Sequence, residues 1–293
     1  MHVLITGGTG FIGRALCKQL FQAGHASTVL TRSRTPPPLP GVRFIASLDE
    51  AEGIEAVVNL AGEPLADGRW NAARKQAFRD SRIGTTQKLL AWMESLPKRP
   101  RVLVSGSAIG YYGASDDRLL AEMAPAGEDF AATLCRDWET EALKARALGL
   151  RVCTLRIGIV LGADGGALAR MLPPFKLGAG GPMGSGAQWM SWVRRSDLVN
   201  LIGWLLGNEA ASGPYNGTAP KPVTNREFAR TLGAVLKRPA VMTMPTFVLK
   251  LIFGEMAESL LLTGQRVVPS KAEAEGFVFE HRELEPALRD LLR

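Results

Sequence analysis

The sequence predicts an α/β protein: a doubly wound parallel sheet with helices on both faces, followed by a smaller C-terminal α/β lobe. Three observations predict it. Short, nearly continuous apolar runs alternate with helical stretches through the first half. The first apolar run ends in a glycine-rich turn that opens a helix. After Leu161 the texture changes, and glycines cluster at Gly165 and Gly166 and again from Gly178 to Gly186.

Taken in order, residues 3–6 read as a buried strand and 10–23 as the helix after it. Further strands are expected at 28–31, 42–45, 56–60, 101–105 and 151–155. Long helical stretches lie between them at 69–96 and 129–148. In the second half, helices are expected at 197–206, 225–236 and 283–292, with Asp197 capping the first of them. The apolar stretch 241–253 is interrupted by Pro245 and Lys250. These readings divide the chain into a dinucleotide-binding domain, residues 1–161, and a substrate-binding lobe, residues 162–293, part of which returns to the sheet.

Composition narrows the function classes. The 293 residues are 46% hydrophobic and 22% charged, which is an ordinary globular balance with ample chain for a core. The net charge is +7, divided as +2 over the first 150 residues and +5 over the rest. No block of five or six like charges occurs, so no nucleic-acid partner is expected; an anionic small-molecule substrate would suit the surplus in the second half. Cys17, Cys135 and Cys153 are far apart, and His2, His25 and His281 share no ligand spacing, so neither a disulfide framework nor a metal site is expected. No stretch approaches the roughly 20 apolar residues of a membrane span. The first apolar run stops in glycines by Gly7, unlike a signal peptide. A reducing, cytoplasmic setting follows from these readings.

The turn Thr6-Gly7-Gly8-Thr9-Gly10-Phe11-Ile12-Gly13 gives the fold its Rossmann-type character. Gly7 or Gly8 permits the tight turn, Gly10 lets the backbone approach a pyrophosphate, and Gly13 lets the helix pack closely on the strand. Thr9, Phe11 and Ile12 complete the segment at the helix N-terminus, where free N–H groups and the dipole favour an anion. The second strand ends Thr31-Arg32-Ser33-Arg34, with no acid before Asp49. An acid there would hold a ribose 2′-hydroxyl, whereas Arg32 with Thr31 suits a 2′-phosphate, so NADP(H) is expected rather than NAD(H).

These residues resemble the extended short-chain dehydrogenase/reductase superfamily, the group of nucleotide-sugar epimerases and dehydratases. Asn59-Leu-Ala-Gly62 is similar to the turn along the adenosine side, which implies cofactor contacts from Leu60, Ala61 and Gly62. The segment from Ser105 to Gly113 is similar to the strand carrying the active-site serine, here Ser107, with Ser105 near the cofactor. The segment from Leu155 to Gly162 resembles the exit beside the nicotinamide, with Val160 against it. The stretches Gly184 to Trp192, Pro220 to Phe228 and Gly276 to Phe279 resemble an epimerase-like branch with a C-terminal domain of unknown function. The resemblance covers the whole chain, and implies that Gln188, Trp189, Ser191 and Trp192 line the cleft between the lobes. It also implies a monomer or a homodimer paired through the two long helical stretches.

One departure constrains the chemistry. The superfamily uses a Tyr with a Lys four residues later. The three tyrosines here are followed at that spacing by Ser115, Asp116 and Ala219. On the helix that should carry the pair, the Tyr place holds Phe130 or Ala131, and the Lys place Leu134 or Cys135. Arg82 stands where a supporting Asn belongs, a position from which the resemblance implies reach to cofactor phosphates or a substrate anion. The remaining candidates for chemistry are Ser107, Tyr111 and Tyr112. Two functions fit: an NADP(H)-dependent oxidoreductase or epimerase acting on a sugar-nucleotide or other carbonyl or hydroxyl compound, and a catalytically silent NADP(H)-binding sensor or scaffold.

Overall fold

Alternation along the first strand sets the layers. In a computed structural model describing all 293 residues, Val3 and Ile5 face one side of the sheet and Leu4 the other. Seven strands form the sheet: β1 (His2–Thr6), β2 (Ala26–Leu30), β3 (Val42–Ile45), β4 (Ala56–Asn59), β5 (Val102–Ala108), β6 (Arg151–Ile157) and β7 (Gly213–Gly217). All pairings are parallel, in the order β7-β6-β5-β4-β1-β2-β3. The chain direction across the sheet reverses between β1 and β4, and a crevice opens there beyond the C-terminal strand ends.

The helices in chain order are α1 (Phe11–Gln22), α2 (Ala72–Arg79), α3 (Thr85–Ser95), α4 (Phe130–Leu143), α5 (Gly166–Lys176), α6 (Arg195–Gly207), α7 (Asn225–Leu236), α8 (Thr246–Phe253), α9 (Ser270–Ala274) and α10 (Leu284–Leu291). Leu16 and Leu20 of α1 and Leu198, Ile202 and Leu205 of α6 cover one face of the sheet. Leu89 and Met93 of α3 and Ala142 of α4 cover the other. A separate core of Leu168, Leu172, Trp192, Phe228 and Leu288 holds the second lobe together around α5, α7 and α10.

Three features differ from the sequence reading. The expected return of the second lobe to the sheet is made by β7, a strand the sequence reading did not locate, because GPYNG carries none of the apolar alternation that marks one. The helical region expected over 69–96 is two α-helices joined by a π-helical turn, Asp80–Gly84. Asp197 caps nothing: its carboxylate accepts the backbone N–H groups of Glu280 and His281 and so ties the C-terminal segment to α6. Pro245 interrupts the apolar stretch only to stand immediately before α8, where its missing N–H leaves no helical bond unmade. No helix is long and apolar enough to cross a membrane, and the three cysteines are free and buried.

The first turn determines how closely α1 approaches the sheet. A Cβ at Gly13 would lie 2.3 Å from the Gly7 carbonyl oxygen and 2.5 Å from Gly8 Cα, both backbone atoms that have nowhere to move. Gly13→Ala is therefore expected to destabilise the protein by about 1–3 kcal/mol, as overpacking does. Gly207→Ala, where a Cβ meets nothing within 4 Å, should stay within about 0.5 kcal/mol of the parent. Urea unfolding midpoints measure both; equal midpoints would contradict the close-packing role.

Candidate functional site

Two cavities open beyond the C-terminal strand ends. The first, about 760 Å3, lies past β1, β2 and β4. Its floor is the turn with Gly7, Thr9 and Gly10; Thr31, Arg32 and Ser33 line one side, and Leu60, Ala61 and Gly62 the other. Gly7 has φ +69°, and a Cβ there would lie 2.5 Å from the Leu60 carbonyl oxygen, so only glycine keeps this cradle open. No side chain caps α1 and no acid stands in its first turn, which leaves the N–H groups around Phe11 and Ile12 free for an anion. The shape and donor set fit a dinucleotide.

Charge at this groove is positive. Arg32 is exposed at the end of β2 and makes no ion pair or hydrogen bond within the protein. Lys88, which the sequence reading missed, projects from α3 into the same groove and is equally unpaired. Thr85, Lys88 and Leu89 share one helix face, a spacing visible in the sequence once the groove is known. Ala46, Ser47 and Leu48, just past β3, close the far end and were also missed.

Other expected contacts lie elsewhere. Phe11 turns its ring onto Gly162, Gly165 and Gly166 and lies under the Arg195 guanidinium, 4.4 Å from ring centroid to Cζ. Ile12 and Val160 pack on the sheet core, and Ser105 is fully buried, its hydroxyl donating to the Gly106 carbonyl. Arg82, in the π-helical turn, donates to the carbonyls of Phe78 and Glu63 and stacks over Trp138, so its guanidinium lies against Gly62 and lines neither cavity.

The second cavity, about 370 Å3, lies beyond β5 and β6. Ala108, Ile109 and Gly110 form one wall, Ile157 to Ile159 another, and the segment 259–265 of the second lobe a third. Ala131 and Cys135 both face it, whereas Phe130 and Leu134 pack with Trp70 and Phe78. Of the two registers the sequence left open, the one with Ala131 and Cys135 is thus the one that faces the cavity. Burial pushes the Cys135 thiol up to about 11, so it stays neutral. Gln188 and Trp189 line the cavity as expected. Ser191 and Trp192 do not: Ser191 donates to the Gln265 carbonyl, and Trp192 is wholly buried with its indole N–H on the Lys221 carbonyl.

Ser107, Tyr111 and Tyr112 belong to a buried network behind this cavity. Ser107 donates to Glu139 Oε1 at 2.7 Å. Arg156 grips the same carboxylate with two bonds, Nε to Oε1 at 2.8 Å and Nη2 to Oε2 at 2.9 Å. Its Nη1 donates to the Tyr112 hydroxyl and the Glu122 carbonyl, and its Cζ lies 3.4 Å from the Tyr111 ring centroid. The Tyr112 hydroxyl in turn donates to Asn216 Oδ1 at 2.7 Å. Burial pushes the Tyr112 phenol up to about 12, although the Arg156 charge opposes that shift. Burial also disfavours the Arg156 charge, but the bonds to Glu139 outweigh it and hold the guanidinium charged. Glu139 and Arg156 were missed by sequence reading; an Arg inside the apolar run of β6 was the available signal.

Known proteins with this organisation share the whole chain. A family model described as the NAD dependent epimerase/dehydratase family matches residues 3–216, and one for a domain of unknown function, DUF1731, matches residues 244–291. The chloroplastic epimerase family protein SDR39U1 homolog of Arabidopsis thaliana is 45% identical over all of this chain and 87% of its own length. A crystal structure of human epimerase family protein SDR39U1 with NADPH superposes with a TM-score of 0.91 at 37% identity, covering 99% of both chains. A nucleoside-diphosphate sugar epimerase from Corynebacterium glutamicum superposes at 0.79 with 33% identity, over all of this chain and 58% of its own. With its parallel sheet, its dinucleotide cradle and these relatives along its full length, the chain belongs to the NAD dependent epimerase/dehydratase family.

Proposed function

We propose that this protein binds NADP(H) in the first groove and exchanges hydride with a carbonyl or hydroxyl compound in the second cavity. The observation carrying the cofactor choice is the pair of unpaired cations, Arg32 and Lys88, in a groove lined by no acid. Binding of NADPH by the human relative of the same length and fold supports it. The cradle at Gly7 and Gly10 and the free N-terminus of α1 would hold the pyrophosphate, and Arg32 with Thr31 the 2′-phosphate. When bound, the nicotinamide supplies the hydride. Ala131 and Gly110 leave room for a substrate on this wall. Ser107 would turn its hydroxyl from Glu139 toward the reacting oxygen when substrate binds, beside the neutral thiol of Cys135. Free, buried cysteines and the lack of a spanning helix suit the cytoplasm or another reducing compartment.

A second reading is favoured by one observation: the hydroxyls of Ser107 and Tyr112 are both already committed inside the protein. Under it the fold is a cofactor-binding sensor with no turnover. Single-turnover measurement of NADPH oxidation against a panel of carbonyl compounds separates the two. Hydride transfer predicts oxidation that Ser107→Ala slows at least about tenfold, the scale of one lost charge-assisted hydrogen bond, with NADPH affinity unchanged. Wild-type protein that never oxidises bound NADPH would establish the sensor reading.

The cofactor assignment makes its own prediction. Arg32→Ala should weaken NADPH about 10–100-fold, as loss of a charge-assisted phosphate pair does, and leave NADH nearly unaffected. Equal weakening of both cofactors in fluorescence titrations would remove Arg32 from the 2′-phosphate.

Tyr112 supplies a prediction in pH. A phenol raised to about 12 in the folded protein contributes stability that is fully present below its ordinary value of 10.0 and fades as pH rises through 12. Alkaline urea unfolding should show this loss in the wild type and less of it in Tyr112→Phe. The rate profile between about pH 6 and 9 should carry no tyrosine limb, because the phenol stays protonated throughout.

A further inference from the structure

We infer that the second cavity takes a neutral, largely apolar carbonyl compound and not a nucleotide-linked sugar. The inference rests on the hydride-exchange reading above and names the substrate class for that same site. Leu65, Ile109, Ile157, Met171, Met190 and Leu260 supply the wall, and the neutral thiol of Cys135 faces it.

Most of the polar groups on the wall are turned to their own chain. Gln188 donates its amide hydrogens to the carbonyls of Met183 and Leu261. The Gln265 amide donates to the Gly113 carbonyl at 2.7 Å, and Thr263 donates to the Glu258 carbonyl at 2.8 Å. Asn225 accepts from the Met183 N–H and donates to the Met190 sulfur. Arg170 is the single charged residue on the wall, and its guanidinium is already bonded to the Ala66 carbonyl and paired with Asp67.

A nucleoside diphosphate would bring its phosphate charges to a wall with no free cation, and burying charge without a countercharge is strongly unfavourable. An alkyl or alicyclic ketone meets no such obstacle, and about 370 Å3 suits a small molecule of that kind. Its reduction takes a hydride from NADPH at the carbonyl carbon and a proton from water at the oxygen, leaving an alcohol, NADP+ and hydroxide. The surplus of positive charge in residues 151–293, which suggested an anionic substrate, does not reach this cavity as free charge.

Isothermal titration of the full chain, with and without NADP+, tests this using 2-octanone, octanoate and UDP-glucose as probes. The expected result is binding of 2-octanone at least about tenfold tighter than octanoate, a difference of about 1.4 kcal/mol, with no heat from UDP-glucose. Met171→Lys should weaken 2-octanone at least about tenfold and Met171→Leu should preserve it, both variants melting as the wild type and binding NADP+ equally. Octanoate or UDP-glucose binding as tightly as 2-octanone, or no binding of 2-octanone, overturns the inference. Failure of NADP+ to bind while 2-octanone binds overturns the cofactor reading alone and leaves the cavity's preference standing.

Discussion

The ion pair between Arg156 and Glu139 joins the parts of this fold that carry its function. Its side chains are 3% and 8% exposed, so both charges have been taken out of water at a cost that Coulomb attraction alone does not always offset. What makes it viable is complete satisfaction: two bonds between the charges, two more from Arg156 to Tyr112 and to the Glu122 carbonyl, and the Tyr111 ring over the guanidinium. The pair ties β6 to α4; Ser107 adds β5, and Tyr112 with Asn216 adds β7. Four elements far apart in sequence are thereby held in one geometry at the C-terminal edge of the sheet.

The same network explains why the missing Tyr–Lys pair is more than a deletion. A catalytic tyrosine needs a nearby positive charge to bring its pKa down toward neutrality. Here the nearest such charge, Arg156, is spent on Glu139, and the tyrosine beside it is pushed up by burial. The face of α4 that lines the cavity presents Ala131 and Cys135, which bring no charge to that wall. Small, neutral side chains on a single face of α4 thus account both for the lack of a Tyr or Lys there and for the low polarity of that wall.

Much of this was legible in the sequence. Strands β1 to β6 carry continuous apolar runs because both faces of a parallel sheet are covered, and the turn from Thr6 to Gly13 announces its own ligand geometry. The seventh strand was not legible: its buried core residue is a lone Tyr215 among Gly, Pro and Asn, and Asn216 is retained for its bonds to Tyr112 and the Val268 carbonyl. The π-helical turn at Asp80–Gly84, sequence DSRIG, was hidden because weak helix formers inside a long helical pattern do not say which kind of turn they will make, and the bond from Arg82 to the Glu63 carbonyl is a tertiary one. The register of α4 was ambiguous between two adjacent faces until Phe130 and Leu134 were seen to pack with Trp70. In each case the information resides in a long-range contact, and local pattern contains no record of it.

Charge shows the same separation between sequence and space. The second half of the chain holds most of the positive surplus, yet Arg170, Arg195, Lys221 and Lys250 are all paired with carboxylates, while the groove with unpaired cations is built from the first half, which is nearly neutral overall. A count along the chain measures solubility and long-range attraction; the field at a site depends on which charges lack partners there. Two adjoining cavities of opposite character result. One keeps Arg32 and Lys88 free, which suits the several phosphates of a dinucleotide. The other is lined mostly by apolar side chains, keeps its one charged residue, Arg170, paired with Asp67, and so has a low local dielectric. In such a setting any dipole acts more strongly than it would in water.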